Sequence, residues 1–190
     1  TLALVRVDDR LVHGQVIEGW LPVVQAARLV VASDPAAADP WQAGMIQLAI
    51  PDGVRLDVVS VDAAAALLRD AARERSRVMV LIAGIGDLRR LIEAGAPVEA
   101  VNLGGVHDGP GRSAVTPHLF LTDADKNDLR ALAARGLRIE ARALPTDAAY
   151  SLAGVSGYAP LLERIRQIRD VDERHHFTLM CRDLSEIAKY

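Results

Sequence analysis

Short aliphatic runs alternate with amphipathic stretches along this 190-residue chain, and that alternation constrains the fold more than any other feature. The strand candidates are residues 2–5, 28–33, 55–60, 77–83, 100–103 and 137–141. Near-continuous aliphatic runs are typical of strands covered on both faces. The last candidate could be antiparallel or lie at an edge of the sheet.

Amphipathic segments of helical length lie between these runs. They are residues 15–25, 41–49, 62–73 and 87–94. A further helix opens at Thr122, where Asp125 completes a variant of the capping box, and ends at Gly136. Alternating strands and helices predict an α/β fold, an open and mostly parallel sheet with helices on both faces.

Composition excludes several classes of protein. The net charge of −3 offers no basic surface for nucleic acid. The single cysteine, Cys181, excludes an internal disulfide and fits a reducing compartment. No segment approaches the ~20 apolar residues of a membrane span, and no signal-peptide pattern opens the chain. We therefore expect a soluble, cytoplasmic protein.

A histidine follows the first strand in a setting suited to an anion. Asp8, Asp9 and Arg10 precede His13, and Gly14 leads into the first helix. Helix N-termini and arginines both favour phosphate, and imidazole is a recognised nucleophile in covalent catalysis. The residues themselves therefore suggest a histidine that carries a phosphoryl group.

Three loops should meet at the carboxyl edge of the sheet, where ligands bind in such folds. They are residues 8–14, 83–86 and 104–109, and the last belongs to one long predicted loop over residues 104–117. His107, Asp108, Arg112 and His118 lie in or beside that loop and could contribute to the same edge. Gly84 and Gly86 lack the third glycine of a dinucleotide fingerprint, which favours a simple turn.

Residues 6–16, together with Trp20, resemble the first loop and helix of the IIB component of the mannose/fructose/sorbose-type phosphoenolpyruvate-dependent sugar phosphotransferase system. Further stretches resemble this family in the expected order, namely residues 32–34, 49–54, 101–105, 119–122 and 143–147. The resemblance covers residues 2–152. It implies the same open sheet with helices on both faces.

The resemblance also implies a function. The histidine matching His13 takes a phosphoryl group on Nδ1 from a phosphohistidine of the IIA protein. It passes the group to a sugar bound by membrane permease subunits of the IIC and IID type. The chain would thus be a protein-Nπ-phosphohistidine–sugar phosphotransferase subunit, peripherally associated with its permease and able to form a homodimer. Arg10 matches an arginine that contacts the phosphate.

Roles for the neighbouring residues follow from their chemistry. Arg10 can neutralise charge on the phosphoryl oxygens during transfer. Gly14 and Gln15 can offer backbone N–H groups at the helix start. Asp8 or Asp9 can orient the imidazole or hold Arg10, and the sequence does not say which. Transfer between two histidines, or from a histidine to a hydroxyl, requires neither a metal nor a cofactor.

Two segments follow from the length of the resemblance: a IIB domain over residues 1–152 and a helical C-terminal extension over residues 153–190. The extension contains an amphipathic segment at residues 160–169, for packing, dimer contact or partner docking. His175 and His176 lack further ligands at metal-site spacing. Residues around His13, including Trp20 if exposed, should form the docking patch for IIA.

Two other functions remain open. A regulatory phosphohistidine carrier would use the same histidine without a transported sugar. A receiver-like signalling domain is suggested by Asp8 and Asp9, but Asp62 falls at a helix start and no lysine follows the fifth strand until Lys126. The sugar itself is not readable from the chain, because in this system the permease selects it.

Overall fold

The computed structural model describes residues 1–71, 76–147 and 150–151. Within them the strands are β1 (Leu2–Asp8), β2 (Arg28–Ala32), β3 (Arg55–Val59), β4 (Val78–Ile82), β5 (Ala100–Gly105), β6 (Arg112–Thr116), β7 (Leu119–Thr122), β8 (Arg138–Ala141) and β9 (Tyr150–Ser151). The main sheet has the order β3-β2-β4-β1-β5-β8-β9. All of its pairings are parallel except that of β8 with β9.

Helices cover both faces of this sheet, which confirms the predicted fold class. They are a π-helix (Gln15–Trp20), α1 (Leu21–Val24), α2 (Asp34–Ala38), α3 (Pro40–Leu48), α4 (Val61–Ala71), α5 (Ile85–Glu93) and α6 (Asp123–Ala134). Strand β4 shows why its sequence is continuously apolar. Val78, Val80 and Ile82 pack into one core with α4, α5 and α6, whereas Met79 and Leu81 pack into another beneath the first helix and α3.

The first strand is longer than predicted, and this places the site. Residues 2–5 were expected, but the strand runs to Asp8, with Arg6 paired to Leu81 and Asn102. Arg6 and Asp8 are both fully buried. The strand continues through these charged residues because their side chains form an ion pair with each other, as described below.

The helix after the first loop begins as a π-helix rather than an α-helix. Leu21 donates its N–H to the carbonyl of Val16, five residues back, and an α-helical turn follows. Pro22 has no N–H to give to the carbonyl of Glu18, so the α-helical register is interrupted there. The helix ends at Gln25, which has a left-handed backbone (φ 53°).

The predicted loop over residues 104–117 is wrong in part. Strand β5 extends to Gly105, and β6 pairs with β7 as an antiparallel hairpin. In β7, Leu119 and Leu121 are buried and anchor the hairpin, whereas Phe120 and Thr122 are only partly buried. Ser113 and Ala114 of β6 are exposed. This alternation supports a strand with one covered face.

Other boundaries agree closely with the sequence. Thr122 and Asp125 form the predicted capping box of α6. The expectation for residues 137–141 is wrong in part: β8 is parallel to β5 and does not lie at the edge, because β9 pairs with its other side in antiparallel orientation. Helix α2 was not predicted, although Ser33 at its N-cap followed by Pro35 is a recognisable start signal.

Among the described residues, the helices are too short or too polar to cross a membrane. The amphipathic segment at 160–169, His175, His176 and Cys181 lie outside the described residues. The proposed division between residues 1–152 and 153–190 therefore stays a prediction.

Candidate functional site

A buried carboxylate, that of Asp8, is the centre of the site at the carboxyl end of β1. Its Oδ2 accepts hydrogen bonds from the guanidinium of Arg6 at 2.8 Å and from Nε2 of His13 at 3.0 Å. Its Oδ1 accepts from the backbone N–H and the Nε of Arg10, both at 3.3 Å. One side chain thus fixes three other residues of the first strand and loop.

The charge of Asp8 is maintained by its neighbours. Burial alone raises the pKa of Asp8, but Arg6, His13 and Arg10 together hold that pKa below its ordinary value. Burial likewise lowers the pKa of Arg6, and Asp8 offsets part of this shift. Both groups therefore form a buried ion pair, which is costly to break because removal of one partner leaves the other charge uncompensated.

The guanidinium of Arg6 is held by groups from distant parts of the chain. Its Nη1 donates to Oδ1 of Asn102 at 2.5 Å and to the carbonyl of Arg142 at 2.9 Å. Its Nη2 also donates to the carbonyl of Ala143 at 3.1 Å, and the guanidinium lies 5.0 Å from the ring centre of Trp20. This environment combines charge-assisted hydrogen bonds with a cation–π contact.

Gly104 on β5 lies against that guanidinium. A Cβ placed on Gly104 would lie 1.9 Å from Cζ of Arg6. Only glycine at this position therefore leaves room for the guanidinium of Arg6 over β5.

His13 is mostly buried, with 14% of its side chain exposed. Because a carboxylate only accepts, Nε2 carries the hydrogen directed at Asp8, and Nδ1 is left with a lone pair. Within the described part of the chain, Nδ1 makes no hydrogen bond. The imidazole is therefore held through one nitrogen and offers the other as a nucleophile.

The loop that carries His13 is fixed by an unusual backbone at Leu11. This residue has a left-handed conformation (φ 55°), its N–H donates to the carbonyl of Asp8 at 2.9 Å, and its side chain is buried. Non-glycine residues rarely adopt this conformation, and such strain is often found at functional sites. Burial of the leucine side chain offsets the strain and fixes the loop.

Gly14 begins the helix with ordinary helical angles (φ −52°, ψ −44°), and a Cβ there would meet nothing within 4 Å. The fold itself therefore does not require glycine at this position. The first backbone N–H groups of a helix have no intrahelical acceptor. Open space and free donors beside His13 together suit a close approach by an anion.

Arg10 and Gln15 form the outer side of the site. Nη2 of Arg10 donates to Oε1 of Gln15 at 2.7 Å, and 40% of the arginine side chain is exposed. Arg10 also contacts Asp8, so the structure brings together His13, Arg10, Gln15 and Asp8 as one hydrogen-bonded group.

The side chain of Asp9 contacts His107 and not His13. Its carboxylate accepts from Nδ1 of His107 at 2.7 Å and from the backbone N–H of His107 at 2.8 Å. Asp8, not Asp9, is therefore the carboxylate that contacts His13 in the structure. Because successive side chains of a strand point to opposite sides, the spacing of Arg6 and Asp8 was a signal for this assignment.

Trp20 is not exposed, so the condition for its place in the docking patch is not met. Its side chain is buried beneath Arg6, and its Nε1 donates to the carbonyl of Ala143 at 2.9 Å. Trp20 therefore supports the site from below and cannot belong to an exposed docking patch.

Sequence reasoning missed the residues that support the site, which are Arg6, Asn102, Gly104 and Arg142. A charged residue within an aliphatic strand was a usable signal for Arg6, because such a residue must find partners when buried. Asp62, considered for a receiver-like site, lies in the first turn of α4 and pairs with Arg90 at 2.7 Å. Among the described residues, no group of three or more His, Cys, Asp or Glu side chains could hold a metal ion.

The fold and the site define an α/β protein with a histidine at the carboxyl edge of a parallel sheet, supported by a buried carboxylate and an arginine. The model of the family "PTS system sorbose subfamily IIB component" matches residues 2–163. The chain belongs to this family of IIB components of the sugar phosphotransferase system.

Relatives and solved structures agree with the family. The fructose-specific EIIB component of Bacillus subtilis is 34% identical over 147 residues, covering 77% of this chain and 90% of that protein. The mannose-specific EIIAB component of Escherichia coli is 33% identical over 146 residues, which are 77% of this chain and 45% of that longer protein. The crystal structure of the IIB domain of the Klebsiella pneumoniae sorbose permease is similar with a TM-score of 0.77 and 26% identity, covering 84% of this chain and 98% of that domain.

Proposed function

We propose that this chain is a phosphocarrier for sugar uptake. His13 accepts a phosphoryl group from a phosphohistidine of a IIA protein and passes it to a sugar bound by a membrane permease of the IIC/IID type. The chain thus acts as a protein-Nπ-phosphohistidine–sugar phosphotransferase subunit. Membership of the IIB family and the relative named as an EIIAB component support the link to IIA.

The observation that carries this proposal is the orientation of His13. The hydrogen bond from Nε2 to Asp8 at 3.0 Å leaves Nδ1 as the nucleophilic nitrogen. Nδ1 is the atom that carries the phosphoryl group in proteins of this type.

The two transfers can be written with this geometry. In the first, Nδ1 of His13 attacks phosphorus, and the bond from phosphorus to the donor imidazole breaks. In the second, a hydroxyl oxygen of the sugar forms a bond to phosphorus, the Nδ1–phosphorus bond breaks, and the hydroxyl proton is released to solvent. Asp8 keeps a hydrogen on Nε2 in both steps and stabilises the imidazole when it carries the phosphoryl group.

The surrounding residues supply charge and positioning. Arg10 lies on the outer side of the site, partly exposed, and can pair with the phosphoryl oxygens. Gly14 and Gln15 contribute backbone N–H groups at the start of the helix. The proposal needs no metal ion and no cofactor.

Partner choice follows from this role. The chain works in the cytoplasm, at the inner face of the permease, and meets IIA in solution. The partners are proteins and, through the permease, a sugar; no nucleic acid is involved. The homodimer and the role of residues 153–190 remain predictions.

The experiment is transfer of ³²P from phosphoenolpyruvate, through the general phosphotransferase proteins and a IIA protein, to this chain and to His13→Ala. We expect an acid-labile, base-stable label on the wild-type chain and none on the variant. His118→Ala serves as a matched histidine control and should label normally. Label that persists in His13→Ala, or no label on the wild-type chain with active partners, would overturn the proposal.

A further inference from the structure

A second carboxylate–histidine pair lies at the same edge of the sheet. Asp9 follows Asp8 directly, and its two oxygens accept from Nδ1 and the backbone N–H of His107 at 2.7 and 2.8 Å. The carbonyl of His107 in turn accepts from Arg112 at 2.6 Å. The family resemblance assigned no role to this pair.

The pair determines which nitrogen of His107 can take up a proton. The Asp9 carboxylate accepts the hydrogen bond, so Nδ1 carries the hydrogen and Nε2 has the lone pair. The side chain of His107 is 67% exposed, so Nε2 is accessible. A carboxylate that holds one imidazole nitrogen while the other stays free is the arrangement that general bases use.

His107 borders a cavity that adjoins the His13 site. The cavity has a volume of about 300 Å³ and is lined by residues that include Arg10, Gln15, Gly105, His107 and His118. Arg10 shares the Asp8 carboxylate with His13, and Gly105 lies beside the same carboxylate. The cavity wall is thus linked to His13 through the carboxylate of Asp8. The cavity volume lies at the lower end of small-molecule sites.

We propose that His107 is the general base for transfer from His13 to the sugar, with Asp9 as its positioning residue. The reacting hydroxyl of the sugar enters the cavity, its oxygen forms a bond to phosphorus, and the bond from phosphorus to Nδ1 of His13 breaks. The hydroxyl proton passes to Nε2 of His107 and then to water. This inference rests on the proposed function and specifies a residue for its second transfer.

Other groups at this edge are less suited to the task. Asp8 is fully buried and already accepts from Arg6, Arg10 and His13. Both oxygens of Asp9 are occupied by His107. The ring of His118 lines the cavity, but among the described residues it has no carboxylate partner to fix its tautomer.

The two transfers differ in their need for a base. Transfer from the IIA phosphohistidine to His13 runs between two imidazole nitrogens and releases no hydroxyl proton. Transfer to the sugar releases one. Loss of His107 should therefore slow the second transfer and leave the first unchanged.

His107→Asn tests this difference. The asparagine amide can still donate to Asp9 in place of Nδ1, whereas nothing replaces Nε2. Asp128→Asn is the control, because Asp128 lies on α6 and does not line the cavity. Each protein is labelled through IIA, then mixed with membrane vesicles of the source cell that carry the permease but lack this chain, with mannose, fructose and sorbose in turn.

We expect His107→Asn to label at the wild-type rate and to form sugar phosphate about 10²–10⁴-fold more slowly. Asp128→Asn should match the wild-type protein in both transfers. Added imidazole should restore sugar phosphate formation to His107→Gly, since the small base can enter the vacated space. Normal labelling also shows that each variant is folded.

The remaining outcomes overturn the inference. Unchanged sugar transfer by His107→Asn would show that no base is needed at this position. Equal slowing of both transfers would make His107 a phosphate ligand or a structural residue. A wild-type chain that takes no label would refute the proposed function itself, and the inference with it.

Discussion

The guanidinium of Arg6 occupies the space that a side chain on Gly104 would need, since a Cβ there would lie 1.9 Å from Cζ of Arg6. This close approach lets the guanidinium of Arg6 lie over β5, where it pairs with Asp8 of its own strand and donates to the carbonyls of Arg142 and Ala143. The two residues are therefore interdependent.

Gly104→Ala should displace Arg6 and destabilise the protein. The displaced guanidinium leaves Asp8 buried without its partner, and breaking a buried pair costs about 3–5 kcal/mol. The free energy of unfolding from urea denaturation checks this. Gly86→Ala is the control, because a Cβ there meets nothing within 4 Å and should cost little or nothing. Equal stability of the two variants would contradict the packing described for Arg6.

Asp8→Asn should slow phosphorylation of His13. An asparagine amide can either donate or accept, so it no longer requires Nε2 of His13 to carry the hydrogen. The imidazole is then free to adopt another tautomer or position, and misplacement of a reacting group can cost about 10²-fold in rate. The rate of ³²P uptake, scaled to the folded fraction, checks this, and nitrogen NMR of His13 reports its tautomer. Asp128→Asn removes one surface carboxylate on α6 as the charge-matched control. A rate equal to that of the control would exclude an orienting role for Asp8.

Acid should destabilise the protein through Asp8. Its folded pKa lies below the ordinary value of 3.8, so between these two values the unfolded chain binds more protons than the folded one. The free energy of unfolding therefore falls as the pH drops from about 5 through 3.8 and on through the lowered pKa. Urea denaturation at a series of pH values checks the slope.

A control for this acid effect is Asp62→Asn. Arg90 lowers the pKa of Asp62 by hydrogen bonding, but that carboxylate is well exposed and water screens the interaction. The variant should keep most of the acid sensitivity of the wild-type chain. If Asp62→Asn abolished the acid sensitivity of the free energy of unfolding, that sensitivity would come from the surface pair of Asp62 with Arg90 and not from Asp8.

Gly14→Ala should stabilise the folded protein and slow the labelling of His13. The glycine has helical angles and free space at Cβ, so alanine should raise the free energy of unfolding by about 0.4–1 kcal/mol. Under the proposed function, the added methyl obstructs the approach of the phosphoryl donor and slows labelling of His13. Thermal melting and ³²P uptake measured on the same sample check both effects. Faster or unchanged labelling would show that the donor does not pass this position.

The sequence was sufficient for features that are local in the chain. The order of strands and helices, the capping box at Thr122 and Asp125, and the loop that carries His13 all depend on residues within a few positions of each other. Local patterns could not show the hairpin of β6 and β7, because its glycine and proline residues are equally typical of a loop. The π-helical start also escaped prediction, since π- and α-helices bury nearly the same residues.

The support beneath His13 could not be predicted for a different reason. Arg6 contacts Asn102, Arg142 and Ala143, which are 96, 136 and 137 residues away. Contacts of such separation are set by the strand order β1-β5-β8, which no local pattern specifies. The choice between Asp8 and Asp9 was easier to predict from the sequence, because side chains alternate along a strand and Asp8 therefore lies on the same face as Arg6.

The carbonyls of Arg142 and Ala143 that receive Arg6 lie just after β8, near the end of the described sheet. A nascent or partly folded chain that has not yet added this strand lacks half of the acceptors that hold Arg6, and with them the support for Asp8 and His13. Under the proposed function, His13 would then take a phosphoryl group only once the sheet is complete. Labelling of the histidine would serve as a chemical report that the domain has finished folding, and unfinished chains would draw no phosphoryl groups from the pathway.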